Sequence, residues 1–165
     1  MTQEILSHLQ IELKINRLAH QILENTFEEK SIFIGGIHGN GSIFAGLLVE
    51  ILKANSSQEI ILFSIEMDKE NPLASPIQLS IDSSSLKNNC VVLVDDVLNS
   101  GKTMQYALSK ILEQPVRIIK TVALVDRKHR RYPVKADFVG LSLSTTLKEH
   151  ISISLTPGKF SAKLH

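Results

Sequence analysis

Val91-Val-Leu-Val-Asp-Asp-Val-Leu-Asn-Ser-Gly-Lys-Thr103 is the stretch that decides the fold of this chain. Val91 to Val94 is a continuous apolar run, the pattern of a central parallel strand covered on both faces. Two carboxylates follow, Asp95 and Asp96, and then a turn into a helix expected over residues 102–113. Ligands of open parallel sheets bind beyond the carboxyl ends of the strands. Neighbouring carboxylates repel each other and lose hydration when a site fills. Sugar hydroxyls can compensate by donating hydrogen bonds, and Mg²⁺ can do so by charge. Asn99 to Thr103 reads as a nest for an anion. Gly101 permits close backbone approach, the amides of a helix start favour negative charge, and Ser100 and Thr103 add hydroxyls. Hydroxyls on the acids and a phosphate on the nest together describe ribose 5-phosphate. A plain solvated turn capped by Ser100 leaves the acidic pair unexplained. A nucleotide-triphosphatase loop requires G-x-x-x-x-G-K-[ST], and Asp96 stands where its first glycine belongs. Lys102 is therefore expected on the helix surface.

The segments around this motif alternate strand and helix. Residues 3–25 read as a helix, with Leu6, Leu9, Leu13, Leu18 and Ile22 as its buried stripe. Ser31 to Ile37 reads as a strand ending in glycines. Ser42 is the expected cap of a second helix bearing Ile43, Phe44, Leu47, Leu48 and Ile51. Glu59 to Ile65 reads as another strand. Residues 67–89 carry two prolines and many serines without a sustained period, so a loop is expected, with a short strand at 77–81. Pro115 ends the helix after the motif. Val116 to Val125, a short strand at Phe138 and Val139, and an edge strand at Ile151 to Leu155 complete the pattern, with the tail TPGKFSAKLH expected to be loose. The order implies a mostly parallel, twisted α/β sheet with helices on both faces.

The 165 residues fit one domain, 1–165, with a flexible hood at about 67–89. The apolar share of 43% and charged share of 21% are ordinary for a globular protein. A net charge of +1 gives no global attraction to nucleic acid or lipid, although a local basic patch remains open. The lone cysteine, Cys90, excludes an intrachain disulfide and reads as a buried thiol. MTQEILSHLQ is too polar for a signal peptide, and no apolar run reaches the roughly 18 residues of a membrane span. A cytoplasmic location without a membrane partner is expected.

The motif VVLVDDVLNSGKT resembles the phosphoribosyl-pyrophosphate-binding motif of type I phosphoribosyltransferases. INRLAHQILE (15–24), LVDRKHRRYPVKADFVG (124–140) and STTLKEHISI (144–153) are similar to segments of the pyrimidine operon attenuator / uracil phosphoribosyltransferase branch. The resemblance spans about residues 11–155. It implies that Asp95 and Asp96 are the catalytic pair, binding the ribose hydroxyls. It implies that Val97, Leu98, Asn99, Ser100, Gly101, Lys102 and Thr103 bind the 5-phosphate. Ile37, His38, Gly39 and Asn40 correspond to the pyrophosphate loop. Lys135, Phe138 and Val139 lie where the family walls the base pocket, and residues 67–82 correspond to its hood. The implied cofactor is Mg²⁺, with no direct protein ligand assigned. The implied partners are phosphoribosyl pyrophosphate, a nucleobase, a nucleoside monophosphate and a second copy of the chain, a dimer being favoured.

The chain departs from this branch at the pyrophosphate loop. Where the branch reads GIRTRG, this sequence has Gly36-Ile-His-Gly-Asn-Gly41. Two permanent cations are absent, each able to form charge-assisted bonds of about 1.5–3 kcal/mol. In the hood, Lys69 replaces an arginine as a point charge without the planar fork. Asn99 replaces a tyrosine of the branch. Two readings follow. One is an enzyme transferring the 5-phosphoribosyl group to a nucleobase, with uracil favoured. The other is a regulator of pyrimidine genes that senses phosphoribosyl pyrophosphate or a nucleotide, binds RNA and has weak or lost catalysis. Arg127, Lys128, His129, Arg130 and Arg131 form the basic run that could meet RNA phosphates. The competing reading of that run is a solvated loop. Only a dimer would give it a broad basic face.

Overall fold

The computed structural model describes residues 1–165. Its main sheet contains β2 (Ser31–Ile37), β3 (Glu59–Glu66), β4 (Gln78–Leu79), β5 (Cys90–Leu98), β6 (Ile118–Asp126) and β7 (Phe138–Ser142). Their order is β4-β3-β2-β5-β6-β7, all parallel except β4, which runs antiparallel to β3. Strand alternation divides the core in two. Ile32, Ile34, Val92 and Val94 pack against α1 (His8–Thr26) and α2 (Asn40–Asn55). Phe33, Val91 and Leu93 pack with Met104, Ala107 and Ile111 of α3 (Lys102–Ile111) on the other face. The expected mostly parallel sheet with helices on both faces is what forms.

Helix α2 sits close on β2 because Gly36 has no side chain. A Cβ there would lie 2.6 Å from Ser42 Cα and 2.8 Å from Ala45 Cβ. Ser42 does not cap this helix, as the sequence suggested. The N-cap is Gly39, at φ 87°, while Ser42 Oγ donates back to the Gly36 carbonyl at 3.2 Å.

The expected helix over residues 3–25 is divided. Gln3–Leu6 forms β1, and α1 begins only after Ser7. Ser7 and Gln10 close a reciprocal capping box: the Gln10 side chain accepts from the Ser7 amide at 2.8 Å, and Ser7 Oγ accepts from the Gln10 amide at 3.4 Å. The buried stripe is also different. Ile11, Ile15, Leu18, Ala19 and Ile22 face the core, whereas Leu9 and Leu13 are 63% and 61% exposed. The tail is not loose either. Ser161–Leu164 is β9, the middle strand of a second, antiparallel sheet ordered β1-β9-β8, with β8 at Ile151–Ser154. The strand at Ile151 is thus an edge, but of this small sheet. Ile153, Leu155 and Ala162 bury it against the α1/α2 side of the core.

Other boundaries move by a few residues. β5 continues through the acidic pair to Leu98, α3 stops at Ile111 and β7 extends to Ser142. Residues 67–89 hold β4 and a 3₁₀ turn at Ser83–Leu86, which buries Leu86. No helix is long and apolar enough to cross a membrane.

Candidate functional site

The site lies at the carboxyl ends of β3, β2 and β5, where register sets Ile65 beside Ile37 and Val94 beside Gly36. Asp95 is buried, with 3% of its surface exposed. It accepts from the following amide, Asp96 N, at 2.9 Å and pairs with Lys69 Nζ at 3.3 Å. Burial, the largest influence, pushes its carboxyl up to about 7; the Lys69 charge opposes this and the Asp96 charge adds to it. A Cβ on Gly41 would lie 3.0 Å from both Asp95 Oδ1 and the Val94 carbonyl, so a side chain there would press the start of α2 away from β5 by a few tenths of an ångström. Asp96 is partly exposed and is absent from the lining of the small cleft beside it.

Asp95 and residues Val97 to Met104 line one small cleft. Its geometry follows from where three carbonyls point. Leu98 O accepts from Arg127 N at 3.0 Å. Asn99 O accepts from Arg130 Nη1 at 2.8 Å. Ser100 O accepts from the amides of Arg131 and Tyr132 at 2.8 and 3.0 Å. In a trans peptide the N–H points opposite to the carbonyl. Holding these carbonyls toward residues 127–132 therefore turns the amides of Asn99, Ser100 and Gly101 the other way. Gly101 enters α3 at φ 87°, and a Cβ there would meet Val134 Cγ1 at 2.5 Å. The amides of Thr103 and Met104, in the first turn of α3 ahead of its first helical bond at Gln105 N, complete the cradle. Ser100 Oγ accepts from Lys102 N at 3.3 Å. Lys102 is not simply a surface residue: its Nζ reaches Glu70 O at 3.0 Å and ties the segment after β3 to the cradle.

The basic run is mostly internal bracing. Arg127 bonds Asn99 Oδ1 at 3.1 Å, Thr145 Oγ1 at 3.0 Å and the Glu149 carbonyl. Arg130 pairs with Asp126 at 2.8 Å and donates to Val134 O at 2.7 Å. His129 holds the Thr145 carbonyl. The structure therefore uses Arg127 and Arg130 to hold the cradle rather than to present charge. Lys128 and Arg131 remain exposed. Asp126, which sequence reasoning missed, anchors this loop by accepting from Lys128 N at 2.8 Å. Its only signal was its place at the end of a strand beside β5.

The pyrophosphate-loop candidates separate. The His38 amide donates to Ile65 O at 2.9 Å, continuing the β2–β3 ladder. Its ring Nδ1 lies 2.5 Å from Glu66 Oε2. The Asn40 side chain turns away and donates to Ile153 O at 2.8 Å, linking α2 to the small sheet. Ile37 is buried core. Gly39 holds the positive φ that starts α2.

None of the base-pocket candidates lines the small cleft itself. Phe138 is in register with Val122 and packs in the α1/α2-side core, so its ring is not free to stack on a base. Val139 is level with Ala123, and its carbonyl accepts from Arg17 at 3.2 Å. Lys135 is exposed, and its carbonyl accepts from Thr121 Oγ1 at 2.8 Å. No three His, Cys, Asp or Glu side chains converge to hold a metal.

A family model for the phosphoribosyl transferase domain matches residues 1–156. A bifunctional protein PyrR from Staphylococcus epidermidis is 33% identical over 160 residues, covering 92% of this chain and 90% of that protein. Another from Pediococcus pentosaceus is 31% identical over 163 residues, covering 93% and 92%. Among solved structures, a hypoxanthine phosphoribosyltransferase from Staphylococcus aureus aligns with TM-score 0.71 at 18% identity, covering 86% of this chain and 77% of that one. The hypoxanthine phosphoribosyltransferase of Trypanosoma cruzi gives TM-score 0.71 at 18% identity, covering 87% and 82%. At this identity the solved structures speak to the fold alone, which is of the type I phosphoribosyltransferase kind.

Proposed function

Because this chain belongs to the phosphoribosyl transferase domain family, in its pyrimidine attenuator and phosphoribosyltransferase branch, we propose that it is a sensor in pyrimidine gene regulation. In this reading it binds phosphoribosyl pyrophosphate or a nucleoside monophosphate, catalyses transfer weakly and contacts RNA. One contrast carries the reading. The ribose-phosphate half of the site is braced, with the Leu98, Asn99 and Ser100 carbonyls all held back. The loop that would meet the leaving group, residues 36–41, carries no arginine or lysine, and its Asn40 side chain is engaged elsewhere. Transfer requires stabilisation of charge that develops on the departing pyrophosphate, whereas binding of a monophosphate does not. Mg²⁺ bound with the diphosphate would supply part of that charge.

The transferase reading, with uracil as acceptor and UMP as product, is favoured by the same cradle and acidic pair. An assay of phosphoribosyl pyrophosphate and Mg²⁺ with each nucleobase, beside calorimetric titration of UMP, separates the two. Tight UMP binding with turnover slow or absent for every base supports the sensor. Rapid turnover with uracil overturns it in favour of the enzyme. For RNA, Lys128 and Arg131 are the exposed charges, so a broad face would need a dimer. A gel-shift series should weaken steeply with salt, and sedimentation should report two chains. No shift at low salt removes the RNA role.

A further inference from the structure

Helix α1 carries a second apolar stripe on the side away from the sheet. Its inward stripe is Ile11, Ile15, Leu18 and Ile22, all buried. On the outward side stand Leu9, Leu13, Asn16, His20, Leu23 and Phe27, spaced 4, 3, 4, 3 and 4 residues apart. That is the seam spacing of paired helices. Leu9, Leu13, Asn16 and His20 are exposed, Phe27 is 72% exposed, and only Leu23 is half-buried against the core. The helix already has its core face, so nothing within the chain accounts for the outward ridge. Clustered exposed apolar groups of this kind mark contact sites. The order of the six residues fits one kind of occupant. From either end it reads apolar, apolar, polar, polar, apolar, apolar. Two copies of α1 laid antiparallel about a two-fold axis level with Leu18 match at every layer. Leu9 meets the partner's Phe27, Leu13 meets the partner's Leu23, and Asn16 meets the partner's His20. The central layer is complementary as well. His20 Nδ1 lies 2.9 Å from the Asn16 carbonyl of its own helix. A carbonyl only accepts, so Nδ1 donates and Nε2 of the uncharged ring is left as an acceptor. The Asn16 amide is a donor of the matching kind, and symmetry forms the bond twice. A polar layer within an apolar seam fixes register.

We propose that the outward ridge of α1 is the surface through which two copies of this chain pair, antiparallel, in a closed dimer. Such an isologous contact is self-complementary and stops at two chains. Charges beside the seam are already engaged. Arg17, which would face its own copy near the axis, is turned aside onto β7 and donates to Val139 O at 3.2 Å and Gly140 O at 2.9 Å. Lys14 Nζ donates to Gly140 O at 3.1 Å, and Glu12 pairs with His8 of its own helix at 3.2 Å. The helix has 19 residues, a length of roughly 28 Å. Its contact therefore lies at the small end of specific interfaces, about 1,200 Å² or less in total, and the dimer is expected to dissociate on dilution. The pairing is independent of what the cleft binds.

Sedimentation velocity of the full chain over a dilution series is the test. The parent should pass from dimer to monomer as it is diluted. Leu13→Glu, a change at an exposed position, should weaken association by about tenfold or more, because symmetry puts the charge into the seam twice. Phe27→Glu, just past the last helical residue, should do the same and serves where Leu13→Glu disturbs folding. Leu112→Glu, at a similarly exposed leucine beyond α3, should sediment as the parent does. Orientation is read by cross-linking. Leu9→Cys and Phe27→Cys chains are treated with a short bis-maleimide, separately and mixed, the native Cys90 being buried. The mixture should yield a cross-linked pair that neither variant yields alone. A parent that is monomeric at every concentration overturns the interface. So does association that Leu13→Glu and Phe27→Glu leave unchanged, cross-linking of Leu9→Cys with itself, or a mixture no more cross-linked than its parts.

Discussion

Asp95 carries a cost that its surroundings only partly relieve. Burial holds its carboxyl at about 7, against 3.8 for the ordinary group. Between those values the folded chain keeps a proton that the unfolded chain releases, so stability falls as pH rises through this window. The contribution is complete below 3.8 and gone above about 7. Asp95→Asn should therefore melt higher than the parent at pH 8 and show no such advantage at pH 4, with scanning calorimetry as the readout. The same substitution should weaken UMP binding, a trade of activity against stability common at functional sites. An equal gain in melting temperature at both pH values would sink the idea that ionisation is the source. The acidic pair was legible from its position after four apolar residues. The Lys69 partner was not, because it approaches from 26 residues away in the chain.

At the scale of elements, the phosphate cradle is shaped by the loop behind it. Arg130 spans Asn99 O, Val134 O and Asp126 and touches none of the surfaces expected to meet the ligand. Arg130→Ala should weaken UMP about tenfold, or ~1.4 kcal/mol, by letting the Asn99 carbonyl swing back. Lys128→Ala should leave UMP affinity unchanged, as calorimetry can check. If both variants bind alike, the bracing has no energetic meaning. A run of basic residues in a sequence announces charge, but not whether that charge faces outward or bonds to the chain's own carbonyls. Here the same residues that read as a surface patch proved half internal. The approach of α2 to β2 gives a second test. Gly36→Ala has backbone in its way, and overpacking of this kind costs about 1–3 kcal/mol, measurable as a lower urea midpoint.

For the molecule as a whole, the parallel sheet was readable because each strand announces itself locally, as Ser31–Ile37 and Glu59–Glu66 do. The small sheet was not, because β1 and β9 gain their identity from one another. Gln3 pairs with Leu164 and Glu4 with Lys163, across almost the full chain. Leu6, Leu9 and Leu13 carry helical spacing that misled the reading of the first segment, and Pro157 and Gly158 disguised the strand that follows them. Deleting residues 156–165 removes the strand between β1 and β8 and the fully buried Ala162. The truncated chain should lose its single cooperative thermal transition or melt well below the parent. An unchanged transition would mean that the small sheet is dispensable.

Asn40 connects that sheet to the helix bordering the ligand cleft, through Ile153 O at 2.8 Å. During synthesis β1 is made long before its partner and must wait unpaired until residues 161–164 have followed. Long-range pairing of this kind is slow to form. A nascent chain can thus build its parallel sheet before β8, which backs Asn40, gains its partner β9. Competence to hold a nucleotide should accordingly appear late and abruptly, not grow in step with chain length.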